Sequence, residues 1–328
     1  MGRTHYARLR GMEDVQIVGV ADPQAERARE LADPVGATAY GDYERLLARD
    51  DLDAVYVTTP VQRHADPAIA AARRGVALFL EKPVAWTLAE AGAIADAVDK
   101  AGVINAVGYQ WRTRPAVERM RELLAEKPIA LLRTHWYWTI PLVPDIRNKS
   151  TGGGQIFDQA THPMDLMRLF AGEVRTVQAA YTQNARKGEF DNWDGYSVTL
   201  TFESGAVGSV ATTYALFQGV AEPPTLDVVA KELLLRLTPR QLEIRTPEGV
   251  EILQDAGEDV DSPFIQAVAQ SDQSLIKASV RSSHNSLALT LAANHAAECG
   301  ETVDFAEFVR RGQEGNEKVR PAVGRGSR

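Results

Sequence analysis

At 328 residues, with 45% hydrophobic and 24% charged side chains, the chain has the composition of a soluble globular protein and the length of two domains rather than one core. Its 36 basic and 44 acidic residues leave a formal charge of −8, which argues against nucleic-acid binding, and no apolar run approaches the ~20 residues of a membrane helix. The single cysteine, Cys299, rules out an internal disulfide and reads as a packing residue at a helix end; with no apolar leader at the N-terminus, a cytoplasmic setting is expected.

The first third alternates short apolar runs with amphipathic segments. Runs at residues 15–21, 53–58, 76–80 and 104–108 are rich in β-branched residues and bounded by turn residues, so each reads as a buried strand. Between them, Asp42 caps a helix over 43–49. Asp66 and Pro67 supply an N-cap and first-turn proline for a helix ending at Gly75. The capping box Thr87-Leu88-Ala89-Glu90 opens a helix to about Ala101, with Gly102 beyond it. This order predicts a parallel sheet with helices on both faces and a ligand site beyond the strands' carboxyl ends. From about Pro128 long β-type runs dominate, at 129–140, 174–182, 196–202, 206–216, 226–229 and 233–237. One helix over 155–170 interrupts them, and two more follow near 263–270 and 286–299. Few crossover helices imply a mostly antiparallel sheet. After Arg310 the tail is rich in Gly, Arg and Pro and reads as frayed.

Three features carry chemistry. Glu81-Lys82-Pro83 follows a strand at the carboxyl edge, where Lys82 meets a ligand, and the Lys-Pro bond is a candidate for cis. In Gly152-Gly153-Gly154-Gln155-Ile156-Phe157-Asp158-Gln159-Ala160-Thr161-His162-Pro163-Met164-Asp165, the glycines allow close backbone approach, and Asp158 and His162 share a helix face at i, i+4. A carboxylate beside an imidazole suits proton transfer; Pro163 is expected to kink the helix. Neither feature has the ligand set of a metal site. Asp22 ends the first visible strand, where in a dinucleotide-binding domain an acidic residue holds the adenosine ribose of NAD and repels the phosphate of NADP. As bland alternatives, these are a solvated lysine, a surface ion pair and a turn aspartate.

Taken together, Met-Gly-Arg-Thr-His at 1–5, Val20-Ala21-Asp22-Pro23, Thr59-Pro60 with His64, Glu81-Lys82-Pro83, Gly108 through Arg114-Pro115, and Gly152 through Asp165 resemble the Gfo/Idh/MocA oxidoreductases over Gly2 to about Phe305. The resemblance implies an α/β Rossmann-type domain over residues 1–115, an α+β substrate and oligomerisation domain with an open antiparallel sheet over 116–310, and a tail over 311–328. It implies a homodimer or homotetramer built through that sheet. It places Gly2, Asp22, Thr59, Pro60, His64, Glu81 and Lys82 around the cofactor, NAD rather than NADP. Lys82, Asp158 and His162 become catalytic and contact the substrate, a sugar, polyol or related compound between the domains; Trp111 is a candidate substrate contact from its aromatic character rather than from the resemblance. Asp165 is implied in positioning. The chain departs from the family in three ways. The opening strand and the first two glycines of Gly-x-Gly-x-x-Gly are absent, Gly2 matching only the third. Gln62 stands where Asn is common, and residues 145–149 carry no recognisable sugar signature. The chain is therefore expected to be a shortened form of the working protein.

The mechanism expected is hydride transfer to nicotinamide while His162 accepts the hydroxyl proton, Lys82 stabilises the alkoxide and Asp158 orients His162. Trp111, Trp136, Tyr137 and Trp138 are candidates for an apolar wall, or for ordinary core. Two other functions fit the same resemblance: a glycosidase that retains its NAD, and a non-catalytic dinucleotide-sensing regulator.

Overall fold

A computed structural model of the chain describes residues 1–220 and 222–314; part of the expected tail, 315–328, lies outside them. Contacts divide the chain into two compact units. The first holds residues 1–86, 90–108 and 259–283, so a distant segment completes the N-terminal domain expected over 1–115.

Its elements run α1 (Gly2–Leu9), β1 (Gly19–Ala21), α2 (Ala25–Ala32), β2 (Thr38–Tyr40), α3 (Tyr43–Leu47), β3 (Ala54–Val57), α4 (Ala65–Arg73), β4 (Ala77–Leu80), α5 (Leu88–Ala101) and β5 (Asn105–Val107). All strand pairs are parallel, as the alternation of strands and helices requires. The four expected strands are present but shorter, the first reduced from 15–21 to Gly19–Ala21. Asp42 caps α3 through the Arg45 N–H at 2.7 Å. Asp66 is not a cap: α4 starts at Ala65, and Pro67 lies inside its first turn, where the missing N–H has no helical partner to lose. β4 is buried along its whole length, as its run of Ala, Leu and Phe demands of a strand covered on both faces. Ala77, Phe79 and Ala106 form its lower core with Val260 and Phe264, which the segment 259–283 returns to the sheet.

The parallel sheet is in two pieces, β1-β2 and β3-β4-β5. A cavity of about 580 Å³ is lined by residues of both β1 and β3, with Leu9, Leu46 and Val268 around it.

The second unit continues with α6 (Pro115–Leu124), β6 (Ile129–Thr139), α7 (Lys149–Gly152), α8 (Gly154–Asp158), α9 (Thr161–Ala171), β7 (Val174–Thr182), β8 (Gly195–Phe202), β9 (Val207–Leu216), β10 (Thr225–Ala230), β11 (Leu233–Leu237), β12 (Gln241–Thr246) and β13 (Gly249–Gln254). After α10 (Asp261–Gln270), which belongs to the first unit, α11 (Val280–Cys299) re-enters it, followed by β14 (Val303–Asp304) and α12 (Phe305–Gln313). The nine strands are ordered β13-β12-β11-β10-β6-β9-β8-β7-β14, antiparallel except for β6 beside β9. Burial alternates along β8 and β9: Val198, Leu200 and Val210 point into the core, and the opposite face is open. On that open face Leu131 and Val207 are directly paired neighbours. Cys299 is exposed at the end of α11, so the packing role expected of it is wrong.

Candidate functional site

The sequence places its candidates in both units, and each unit forms its own local setting. In the first, they collect at the carboxyl ends of the parallel strands. Asp22 leaves β1 and closes a turn, its Oδ1 accepting the Gln24 N–H at 2.7 Å. Thr59 and Pro60 leave β3 and are exposed; the Thr59 hydroxyl donates to the Arg63 carbonyl at 3.1 Å. Glu81, Lys82 and Pro83 leave β4, and the Lys82–Pro83 bond is cis.

Two histidines hold this edge together. His64 is buried, its Nε2 2.9 Å from the Thr59 carbonyl and its Nδ1 3.0 Å from the Pro83 carbonyl. Burial holds its pKa below the ordinary value, against the pull of those carbonyls, and a neutral ring donates to one of them at a time. His64 thus sits between the loop after β3 and the turn after β4 and bonds one of them at a time. His5, on α1, places Nε2 2.8 Å from Glu81 Oε1. The other Glu81 oxygen accepts the Lys82 backbone N–H at 3.1 Å. Gly108 makes room for this carboxylate: a Cβ there would stand 2.9 Å from Glu81 Oε1. Gly2 similarly lies against Thr58, whose Oγ1 would be 2.7 Å from an added Cβ. His5 lies within the Met-Gly-Arg-Thr-His stretch at 1–5, and its partners come from far along the chain.

The second setting surrounds the glycine-rich run. Gly153 and Gly154 adopt φ of +65° and +84°, the left-handed region that favours glycine. The buried Asn294 of α11 donates to the Gly153 carbonyl at 2.8 Å. The expected single helix is broken. α8 ends at Asp158, Gln159 and Ala160 interrupt it, and α9 starts at Thr161. Gln159 and Ala160 nevertheless keep right-handed helical dihedrals across the break between Asp158 and His162. Pro163 does not cause the break, because it falls in the first turn of α9. His162 is 5% exposed and stacks on Trp111 at 5.9 Å between centroids and 15° between planes. Trp111 stacks in turn on Trp136 at 5.7 Å, and Tyr109 meets His162 edge-on. Trp111, only 6% exposed, thus supports the imidazole through its ring face. Asp165 is buried and pairs with Arg112, a residue the sequence reading did not single out; Ser286 donates to the same carboxylate. Arg114 and Asp255 form a second fully buried ion pair at 2.6 Å.

A dinucleotide fits the first setting in part. Asp22 offers an acceptor at the end of β1, and no side chain caps the N-terminus of α1, whose first N–H groups face an anion favourably. Among the described residues no group of three or more His, Cys, Asp or Glu side chains gathers as metal ligands. No helix among them is long and apolar enough to cross a membrane.

Comparison with known proteins bears on both units. A family model described as "Oxidoreductase family, NAD-binding Rossmann fold" matches residues 1–109, and one described as "GFO/IDH/MocA C-terminal domain" matches residues 117–232. The chain is 33% identical over 204 residues to D-xylose 1-dehydrogenase (NADP(+)) 2 of Haloferax volcanii, covering 61% of this chain and 62% of that protein. It is 28% identical over 218 residues to myo-inositol 2-dehydrogenase of Thermotoga maritima, covering 64% of each. In structure it resembles an oxidoreductase from Agrobacterium radiobacter in complex with NAD+, L-tartaric acid and magnesium. The TM-score is 0.82 at 20% identity, covering 93% of this chain and 96% of the other.

Proposed function

The chain belongs to the Gfo/Idh/MocA oxidoreductase family, with its NAD-binding Rossmann fold, and on that premise we propose that it is an NAD-dependent dehydrogenase acting on a CH–OH group of a sugar, polyol or related compound. The observation that carries this reading is the turn Glu81-Lys82-Pro83, presented at the carboxyl end of β4 and gripped by His5 on one side and His64 on the other. The names of the similar proteins, a xylose and an inositol dehydrogenase among them, support the substrate class.

NAD, when bound, supplies the hydride acceptor. Asp22 is assigned to the adenosine hydroxyls, which favours NAD over NADP, and the N-terminus of α1 at Gly2 to the diphosphate. Thr59, Pro60, His64 and Glu81 shape the edge on which the cofactor rests. Lys82 is a fixed cation that stabilises the alcohol oxygen as negative charge develops on it. His162 accepts the hydroxyl proton, and Asp158 binds a neighbouring hydroxyl or orients the imidazole. Such acid–base help is worth about 10²–10⁴-fold in rate. Trp111 serves by holding His162 on its ring face. We further assign the open sheet face around Leu131 and Val207 to a homodimer or homotetramer contact, and the cytoplasm as its setting.

The test is a screen of aldoses, their acids and cyclitols with NAD and with NADP, following reduced cofactor. Turnover with a member of these classes is expected. Silence from every one with both cofactors overturns the assignment.

A further inference from the structure

His5 is the point where three distant parts of the first unit meet. Its Nε2 lies 2.8 Å from Glu81 at the exit of β4, and its Nδ1 lies 2.6 Å from Oδ1 of Asp261 on α10. All three are buried, Asp261 completely. Tyr56 and Phe79 wall the imidazole at ring distances of 5.3 and 4.9 Å. The other ionisable groups facing the cluster are Arg8, one turn along α1 and 3.3 Å from Asp261 Oδ2, Asp259, which accepts the Asp261 backbone N–H and lies near Arg8, and the Tyr56 hydroxyl beside Asp261.

Ionised carboxylates only accept hydrogen bonds, so two of them on opposite ring nitrogens require both nitrogens to carry hydrogen. The arrangement is that of an imidazolium between two anions. His5 and Arg8 oppose the carboxylates of Glu81, Asp261 and Asp259; the imidazole, Glu81 and Asp261 are buried, while Arg8 is partly open to solvent. Neutral imidazole has one N–H and would leave one carboxylate without its bond.

We infer that His5 is a positioning residue for the Glu81-Lys82-Pro83 turn: its doubly bonded ring anchors the Glu81 carboxylate, which holds the Lys82 backbone N–H, so that α1 and α10 together set where Lys82 stands. The inference deepens the dehydrogenase reading and rests on it for the role of Lys82. Because only the protonated ring can donate to both carboxylates at once, deprotonation of His5 releases one of them and breaks the tie that runs from Asp261 on α10 through Glu81 to Lys82. Burial opposes the ring's charge, but the hydrogen bonds and charges of Asp261 and Glu81 outweigh it, and its pKa is raised to about 9.

Two measurements test it. The first is the ¹⁵N spectrum of the His5 ring in the intact chain, which needs no substrate. Both nitrogens should be protonated at pH 7.5, with the change to a neutral ring near pH 9. A neutral tautomer at pH 7.5 overturns the inference, whether or not any substrate is found. The second uses His5→Gln, which keeps one donor toward Glu81. It should lower kcat by roughly 10- to 100-fold, as small misplacements of a reacting group do, with KM for NAD changed by less than about 3-fold, and it should remove the alkaline limb of kcat near pH 9. A His5→Gln enzyme that keeps kcat and its alkaline limb overturns the positioning role. Loss of turnover in Lys82→Ala with no effect of His5→Gln would leave the dehydrogenase reading standing and this one refuted.

Discussion

Arg112 grips Asp165 through two parallel hydrogen bonds, Nε to Oδ2 at 2.7 Å and Nη2 to Oδ1 at 2.6 Å, with both side chains buried. The fork fixes the start of α9 against the turn that follows β5, and the guanidinium geometry makes lysine a poor substitute. Arg112→Ala leaves a buried carboxylate with Ser286 alone. A loss of about 3–5 kcal/mol is expected, roughly 6–10 °C in melting temperature. Arg112→Lys should recover less than half of it. Calorimetry on the three proteins checks this, and equal melting of the wild type and Arg112→Ala would contradict it.

The assigned roles separate in kinetics. Lys82→Ala and His162→Ala should each lower turnover by at least about 100-fold while NAD binding survives, because both act on charge that develops during the reaction. Asp158→Asn should cost less, since the imidazole and its stacking on Trp111 remain. Near-normal turnover in His162→Ala would remove it as the proton acceptor.

The proposed cofactor preference rests on Asp22. One of its oxygens closes the turn to Gln24, and the carboxylate is half-buried at the end of β1. Asp22→Ser should weaken NAD binding and tighten NADP binding, narrowing the preference by about 10-fold or more as the like-charge repulsion disappears. Titration of both cofactors into both proteins decides it; tighter NADP binding by the wild type would refute the assignment.

Stability should depend on pH through two histidines of opposite sign. His5 has a raised pKa in the fold, so its contribution is complete below its unfolded value of about 6.5 and is lost as pH rises through about 9. His64 has a lowered one, so its contribution is present above about 6.5 and is lost as pH falls below it. The melting temperature should therefore peak near pH 6.5 and fall steadily from there to about pH 9. His5→Gln should flatten the alkaline side alone; a flat alkaline side in the wild type would contradict the imidazolium.

How much of this was legible depended on whether the signal was local. β4 and the turn after it stood out because a continuous apolar run followed by Glu-Lys-Pro reads the same in any context. β2 and α2 passed unnoticed: β2 is three residues long, and Ala25–Ala32 carries little apolar side chain beyond alanine. The break between α8 and α9 has no proline or glycine at Gln159 and Ala160 to announce it, so one helix was read where there are two. The interlocking partners were invisible for a plainer reason. His5 and Asp261 are 256 residues apart, and Arg112 and Asp165 are 53 apart.

The last prediction concerns the divided sheet. Along β1, the Val18 carbonyl and Asp22 N–H bond to β2, at 3.1 Å each, so the backbone groups of Gly19 and Ala21 point to the other edge. Along β3, the Asp53 and Val57 carbonyls accept from the N–H groups of Ala77 and Glu81, at 3.0 Å each, which turns Ala54 and Tyr56 the other way. Both of these outward edges line the cavity of about 580 Å³. Buried ladder groups need partners, and an extended apolar segment running parallel to β1 and β3 would supply them to both strands at once. Five residues span about 16 Å, enough to pass the four residues of β3. Such a strand would end near Thr58, against which Gly2 already lies, so a Gly-x-Gly turn could join it to α1 and add its N–H groups to the diphosphate site. An apolar five-residue strand and Gly-x-Gly fused before Met1 should raise the melting temperature by roughly 5 °C or more and tighten NAD binding at least about 10-fold. A polar segment of equal length should do neither. If the unfused chain melts cooperatively and binds NAD at micromolar concentration, and the apolar fusion changes neither property, the cavity is not a place for a strand.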